Sequence, residues 1–187
     1  MKRVKLVVAY DGTNYCGWQV QKNGETIESV LNRAIGELTG EEIHVMGSSR
    51  TDAGVHACGN VAVFDTEARM AADKFSYALN QRLPEDIRIQ DSCEVPADFH
   101  PRFQKTVKTY EYRILNREFP LPAYRFNSHF TYRKLDVERM RQAAAYLIGE
   151  HDFQSFCAAG AQVKTTVRTI YALDVEKQGD LIILRIT

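Results

Sequence analysis

The chain has 187 residues, 44% of them hydrophobic and 26% charged, and its acidic and basic residues balance to a net charge of zero. This length allows a substantial core in one large domain or two small ones, and the composition is typical of globular proteins. No apolar run approaches the roughly 20 residues that a membrane helix requires, so the sequence excludes such helices. Its four scattered cysteines predict a cytoplasmic protein that keeps its thiols reduced.

The first half of the chain carries four predicted strands. They are expected at residues 4–10, 43–46, 59–64 and 87–95. The apolar run at the N-terminus is cut off by Asp11, which indicates a first strand rather than a signal peptide. The third strand is expected to bury Val61 and Val63, with Phe64 as a further candidate.

Two predicted helices separate these strands. Apolar residues recur at helical spacing over residues 26–38, with Thr26 as the N-cap and Gly40 just after the end. A second helix over residues 75–83 ends at Pro84, which cannot continue a helix. The resulting order, βαββαβ, is that of the ferredoxin-like split unit.

The second half predicts an incomplete copy of this architecture. Strands are expected at residues 106–116, 168–176 and 180–186, and one helix at residues 136–148. The order is therefore β, α, β, β, without a final helix and strand. We predict an α+β protein of two ferredoxin-like halves with largely antiparallel sheets, the second half incomplete. The expected domains are residues 1–97 and 98–187.

The charge distribution is uneven although the net charge is zero. Residues 100–141 contain ten Lys or Arg against four acids, a local charge of +6. Aromatic residues are interleaved with these bases: Phe99, Phe103, Tyr110, Tyr112, Phe119, Tyr124, Phe126 and Tyr132. This basic aromatic segment fits a nucleic acid whose bases can stack on aromatic rings. The alternative is a solvated basic face beside core aromatics.

One carboxylate has unusual neighbours. In SSRTDAGVHA, residues 48–57, Asp52 lies in a Thr-Asp-Ala-Gly turn between Arg50 and His56. The simplest interpretation is an Asx-type turn. A carboxylate near an arginine could instead stay ionised and serve as a nucleophile or stabilise a developing cation. An aspartic protease is disfavoured because Asp-Thr-Gly or Asp-Ser-Gly is absent and the motif has no second copy.

Other chemistries lack their signatures. The sequence contains no GxGxxG, GxxxxGK or GxSxG motif. Its five histidines form no i, i+4 pair, and its four cysteines lie far apart without a CxxC pair. These patterns argue against a metal site and indicate reduced thiols.

Six stretches, in order along the chain, match one family. They are YDGTNYCGWQVQ (10–21), GSSRTDAGVHACGNVAVF (47–64), LNQRLPEDIRI (79–89), FHPRFQKTVKTYEYRI (99–114), GEHDFQSFC (149–157) and TVRTI (166–170). The chain resembles the tRNA pseudouridine synthase A family over essentially its whole length, and RTDAGVHA is highly specific on its own. The resemblance implies the pseudouridine synthase fold and an isomerase that converts uridine to pseudouridine in the anticodon stem-loop, at tRNA positions 38–40.

The resemblance also implies roles for individual residues. Asp52 matches the catalytic nucleophile, in a reaction that breaks the uridine N1–C1′ bond, rotates the base and rejoins it through C5. Attack at C1′, attack at C6 and support of a glycal intermediate all remain open. Arg50 matches the arginine that fills the space vacated by the target base, and Tyr110 matches the tyrosine that stacks on that base, with a further candidate role in deprotonating C5. Thr51, Gly54 and His56 are expected to support the loop.

The resemblance also implies partners, and the chain departs from the family's pattern in one respect. It implies tRNA as partner, a homodimer, and neither a metal nor another cofactor. Family members continue past residue 187 into a segment whose arginine pairs with the catalytic aspartate. We therefore expect a fragment or a naturally short relative, with a sheet edge and an apolar face uncovered, and with Arg50 or Arg185 as substitutes. The alternative function is a catalytically inactive tRNA-binding or chaperone module.

Overall fold

The structure is a computed structural model that describes residues 1–157 and 165–187. The chain divides into two compact units, Met1–Lys105 and Thr106–Thr187. The first unit extends beyond residue 97 because two contacts hold the following segment. Arg3 Nη1 donates to the Phe99 carbonyl at 3.0 Å, and Arg102 Nε donates to the Gly47 carbonyl at 3.0 Å.

The first unit has the predicted order βαββαβ. Its elements are β1 (Lys2–Tyr10), α1 (Ile27–Thr39), β2 (Met46–Gly47), β3 (Ala57–Thr66), α2 (Phe75–Asn80) and β4 (Ile87–Val95). The strands form one sheet in the order β2-β3-β1-β4, and all neighbouring pairs are antiparallel. This is the ferredoxin-like arrangement, so the prediction for the first half is confirmed.

Helix α1 forms where its capping residues predict it. The Thr26 hydroxyl accepts from the Ser29 amide at 3.2 Å, and the Ser29 hydroxyl accepts from the Thr26 amide at 3.0 Å. This reciprocal capping box satisfies two amides at the helix start. Gly40 ends the helix in the left-handed conformation, with φ of 76°.

Strand β3 differs from the prediction in its register. Its core-facing row consists of Asn60, Ala62, Phe64 and Thr66. Val61 is only half-buried, so the strand presents the alternate residues to the core, although Val63 is buried as well. Strand β2 is shorter than predicted because Ile43 and Val45 are buried without joining the ladder.

The described residues of the second unit form six strands and one α-helix. They are β5 (Tyr110–Asn116), β6 (His129–Thr131), α3 (Val137–Ala145), β7 (Gly149–Asp152), β8 (Val167–Ile170), β9 (Leu173–Gln178) and β10 (Leu181–Ile186). The main sheet has the order β6-β5-β10-β9, and β7 and β8 form a separate antiparallel pair. Helix α3 contributes Ala144 to a small core with Val175 and Ile182.

Three predictions for this unit need correction. The first strand begins at Tyr110, since residues 106–109 pair with no strand among the described residues. The helix ends at Ala145, where Tyr146 forms a 3₁₀-like turn. The predicted strand at 168–176 is two strands, because β8 pairs with β7 while β9 pairs with β10.

An uncovered edge of the main sheet lies on β5. Within the described residues β6 pairs only with Ile114, Leu115 and Asn116, so the outer side of residues 110–113 carries no strand. The side chains of Tyr110 and Tyr112 are more than half exposed there. No helix in the described part of the chain is long and apolar enough to span a membrane.

Candidate active site

Asp52 lies on an exposed, tightly turned loop of the first unit. Residues 48–56, which we call the Asp52 loop, connect β2 to β3. The Val55 amide donates to the backbone carbonyl of Asp52 at 3.2 Å, and Gly54 has φ of 78°. A positive φ at the third position is typical of a type II turn, which explains the glycine. The turn holds the backbone of residue 52 in a defined conformation.

The carboxylate of Asp52 takes no part in this turn. It has no hydrogen bond or ion pair with any of residues 1–157 and 165–187, and it is exposed. The Asx-type turn considered from the sequence is therefore not formed, since the backbone carbonyl closes the turn instead. Arg50 is also exposed and makes no ion pair with Asp52. Both side chains are available to a ligand.

Beneath the loop, two buried polar residues contact its backbone and side chains. The hydroxyl of Tyr10 lies 2.8 Å from Oγ1 of Thr51. The side-chain amide of Asn60 donates to the carbonyl of Ser49 at 3.0 Å, and its oxygen accepts from the hydroxyl of Ser48 at 3.0 Å. The contact with Tyr10 fits the supporting role expected of Thr51. The sequence analysis missed Tyr10 and Asn60.

A second support comes from the turn that follows β1. The Trp18 amide donates to the carbonyl of Thr51 at 3.0 Å, and the Gly54 amide donates to the carbonyl of Tyr15 at 3.3 Å. The turn is itself anchored, because the hydroxyl of Tyr15 donates to Asp86 Oδ1 at 2.6 Å. Burial and this acceptor raise the pKa of Tyr15 well above its ordinary value. The loop is therefore held from below and from one side.

His56 contacts the same turn. Its Nδ1 lies 3.0 Å from Oδ1 of Asp11 and 3.3 Å from the amide nitrogen of Gly12. The pKa of Asp11 is lowered, first by the hydrogen bond from the Thr13 hydroxyl and further by His56. These contacts fit a supporting role for His56 at the end of the loop.

Trp18 packs beneath the start of the loop. It is 1% exposed, and a Cβ atom on Gly47 would lie 2.4 Å from its ring. Trp18 is therefore part of the core of the first unit. Because Arg102 also binds the Gly47 carbonyl, the first residues of the basic aromatic segment lie on this unit.

Tyr110, the other predicted site residue, belongs to the second unit. It is the first residue of β5 and is 57% exposed. Arg185, considered as a partner for the Asp52 carboxylate, instead pairs with Glu111 at 2.7 Å and Glu176 at 3.0 Å. These ion pairs engage its guanidinium within the second unit.

The aromatic residues of the basic segment are largely outside the cores. The more exposed ones are Phe103, Tyr110, Tyr112, Phe119, Phe126 and Tyr132. The Arg125 guanidinium lies 4.1 Å from the centre of the Phe126 ring, a cation–π contact at the surface. These six aromatic side chains therefore do not belong to the hydrophobic cores. Among the described residues, no group of three or more His, Cys, Asp or Glu could hold a metal ion.

Comparison with known proteins gives a consistent family. A family model described as tRNA pseudouridine synthase matches residues 6–104 and 143–187. The tRNA pseudouridine synthase A of Acetivibrio thermocellus is 47% identical over 182 residues, which cover 97% of this chain and 75% of that protein. The tRNA pseudouridine synthase A of Thermoanaerobacter sp. strain X514 is 48% identical over 187 residues, which cover 100% of this chain and 76% of that protein. Matches of this extent, on a chain with an intact RTDAG loop, show that it belongs to the tRNA pseudouridine synthase family.

Proposed function

We propose that this protein isomerises uridine to pseudouridine in the anticodon stem-loop of tRNA, at positions 38–40, with Asp52 as the nucleophile. The observation that carries the proposal is the Asp52 carboxylate, exposed and unbonded among the described residues on a turn closed by backbone atoms. Such a group keeps its lone pairs for a substrate atom.

The reaction needs one carboxylate and a uracil base that can rotate within the site. Attack of Asp52 on C1′ breaks the N1–C1′ bond, and the bonding electrons leave with the uracil. After the base rotates, C5 attacks C1′ and releases the carboxylate. The C5 proton is then lost to solvent, which restores the ring, and N1 takes up a proton, so the product is an isomer of the substrate. Attack at C6 or support of a glycal would use the same side chain. Substrate and product are isomers, so the bond changes balance without a co-reactant.

Two further residues fit this reaction. A uridine in a stem must leave the base stack, at a cost of a few kcal/mol. Arg50 is exposed two residues before Asp52, which suits a cation that fills the vacated space and contacts phosphate. Tyr110 presents a half-exposed ring, suited to stacking on the target base.

The basic aromatic segment suggests how tRNA is held. Its lysines and arginines would neutralise phosphates, and its exposed rings would stack on unpaired bases. We propose that the first unit, Met1–Lys105, carries the nucleophile and that the second unit, Thr106–Thr187, supplies Tyr110 and most of this surface. By family resemblance, we also propose a cytoplasmic homodimer.

Tritium release from tRNA transcripts containing 5-³H-uridine tests the proposal. The unaltered chain should release tritium, and Asp52→Ala should abolish release, by about 1,000-fold or more. Asp91→Ala, which removes an exposed aspartate from β4, is the matched control and should leave release unchanged. Replacing uridine by cytidine at positions 38, 39 and 40 in turn should remove the corresponding share of the signal.

The alternative function has a distinct result. If neither the unaltered chain nor Asp52→Ala releases tritium while both bind tRNA in a salt-sensitive manner, the chain acts as a binding module. Release that survives Asp52→Ala would refute the role of Asp52 and leave the isomerase activity standing.

A further inference from the structure

We propose that Tyr10 and Asn60 are positioning residues that fix the Asp52 loop through Thr51 and Ser49. The inference rests on the proposed function of Asp52, because it concerns how that carboxylate is held for reaction. Neither residue reaches the loop's exposed side, so both act through the backbone and side chains between Ser48 and Thr51.

Asn60 fixes two successive residues with a single side chain. It is 7% exposed in the core-facing row of β3. The Ser49 carbonyl can only accept, so Nδ2 must face it at 3.0 Å, and Oδ1 is then left to accept from the Ser48 hydroxyl. The orientation of this buried amide is thus determined by the loop that it binds.

Tyr10 extends the same network to Thr51. Asn60 Nδ2 also lies 3.5 Å from the phenol oxygen, which must therefore accept there and donate its hydrogen to Thr51 Oγ1 at 2.8 Å. Tyr10 is 5% exposed, and burial raises the pKa of its phenol, so this donor stays protonated through the neutral range. The bond reaches the residue directly before Asp52.

The pairing of β1 with β3 is irregular next to Tyr10. Val8 pairs with Asn60, but Tyr10 pairs with Ala57, so the register between β1 and β3 shifts between these positions. A bulge re-aims the side chains that follow it. Buried hydroxyl and amide groups are costly unless they are bonded, and apolar residues would fill the same volume without that cost. We infer that these polar groups are kept for the geometry they impose on the loop.

The test separates this geometry from general stability. Tyr10→Phe removes only the phenol oxygen, and Thr51→Val removes only its partner. Each should lower kcat for tritium release by about tenfold or more with KM unchanged, because small displacements of a reacting group slow the chemical step. The double variant should be no slower than the slower single variant, since each change already deletes the bond between Tyr10 and Thr51. Thr51→Ser should restore kcat.

Thr66→Val is the matched control. It removes another buried hydroxyl from the same row of β3, 2% exposed and bonded to Glu41 at 2.7 Å. Its kcat should stay at the unaltered value. An equal loss of kcat in Thr66→Val, additive losses in the double variant, or an unchanged kcat in Tyr10→Phe would each overturn the inference.

Hydrogen exchange provides a readout that needs no catalysis. In Tyr10→Phe, the hydrogen-bonded loop amides of Ser48, Gly54 and Val55 should exchange about tenfold faster or more, while those of α1 keep their rates. If the unaltered chain releases no tritium, the proposed function fails, and exchange alone decides whether the two residues fix the loop. Unchanged exchange in the loop would refute the positioning role whatever the activity.

Discussion

The backbone of Gly12 packs directly on the backbone of Val55. A Cβ atom on residue 12 would lie 2.0 Å from the Val55 carbonyl oxygen and 2.6 Å from its carbonyl carbon. No side chain can be accommodated at that distance without moving one backbone away from the other. The turn after β1 and the Asp52 loop therefore depend on a glycine for their contact.

Gly12→Ala should separate these two segments. We expect a loss of about 3 kcal/mol in the free energy of unfolding, since rigid backbone atoms must move, and at least a tenfold loss of kcat. Urea denaturation and tritium release measure the two effects. Gly59→Ala is the control, because its new Cβ would lie 3.4 Å from Val7 Cγ1, an ordinary contact. Wild-type kcat in Gly12→Ala would show that this contact does not hold the loop.

Gly54→Ala should impair activity through backbone strain. Gly54 has φ of 78° with nothing within 4 Å of an added Cβ, so the change adds strain of about 1–2 kcal/mol without a clash. Gly40→Ala is closely matched, with φ of 76° and equally open space at the end of α1. Both variants should lose similar stability, but only Gly54→Ala should lose kcat. Asparagine at residue 54 should recover part of it.

The ring and the hydroxyl of Tyr110 can be tested separately. Tyr110→Phe keeps a stacking surface, so it should bind tRNA normally, and any loss of kcat reports on the hydroxyl at the C5 deprotonation step. Tyr110→Ala should also weaken binding, by about 1–3 kcal/mol, because the stacking surface is lost. Filter binding and single-turnover rates distinguish the two effects. Tyr146→Ala is the control, because Tyr146 lies in the same unit, is 82% exposed and is outside the basic aromatic segment.

The Asp11 carboxyl should respond more strongly to Thr13 than to His56. Its pKa lies below the ordinary value of 3.8, chiefly through the Thr13 hydroxyl. Carboxyl NMR titration should therefore show a larger rise in the Asp11 pKa for Thr13→Val than for His56→Gln. The reverse order would mean that the imidazole contributes most of the shift.

The same shift predicts how stability depends on pH. Because the folded pKa is lowered, Asp11 stabilises the fold above its unfolded pKa, and this contribution disappears as the pH falls through the folded value. The destabilisation caused by Asp11→Asn should thus be constant above about pH 5 and shrink in more acidic solution. Urea denaturation from pH 7 to pH 3 measures it, and a penalty that grows on acidification would contradict the assignment.

Elements with local signals could be predicted from the sequence. Helix α1 was expected over residues 26–38 and extends over Ile27–Thr39, because the Thr26 cap and the Gly40 terminator act within a few residues of the helix. The βαββαβ order likewise follows from alternating hydrophobic periods. The RTDAG motif makes Asp52, Arg50 and Thr51 the candidate site residues without any structural information.

The support of the loop depends on contacts that are distant in sequence. Asn60 and Tyr10 are separated by fifty positions, and only the β1–β3 pairing brings them together. The sequence predicts that Val61 faces the core, which places Asn60 on the opposite face of β3. The structure has the reverse, because a shift of one residue exchanges the two faces of a strand. The division of residues 168–176 into two strands was missed for a related reason, since β8 takes its partner from β7.

At residue 52 the turn depends on a backbone carbonyl, whereas the proposed reaction depends on the side chain. Its hydrogen bond comes from the carbonyl, which every amino acid possesses, so aspartate can become asparagine by a single base change without altering the path of the chain. A descendant that lost the reaction in this way would retain its RNA surface and could be selected as a chaperone. The same separation of backbone from side chain makes Asp52→Asn a practical substrate trap, in which an unmodified tRNA could be captured on a natively folded protein.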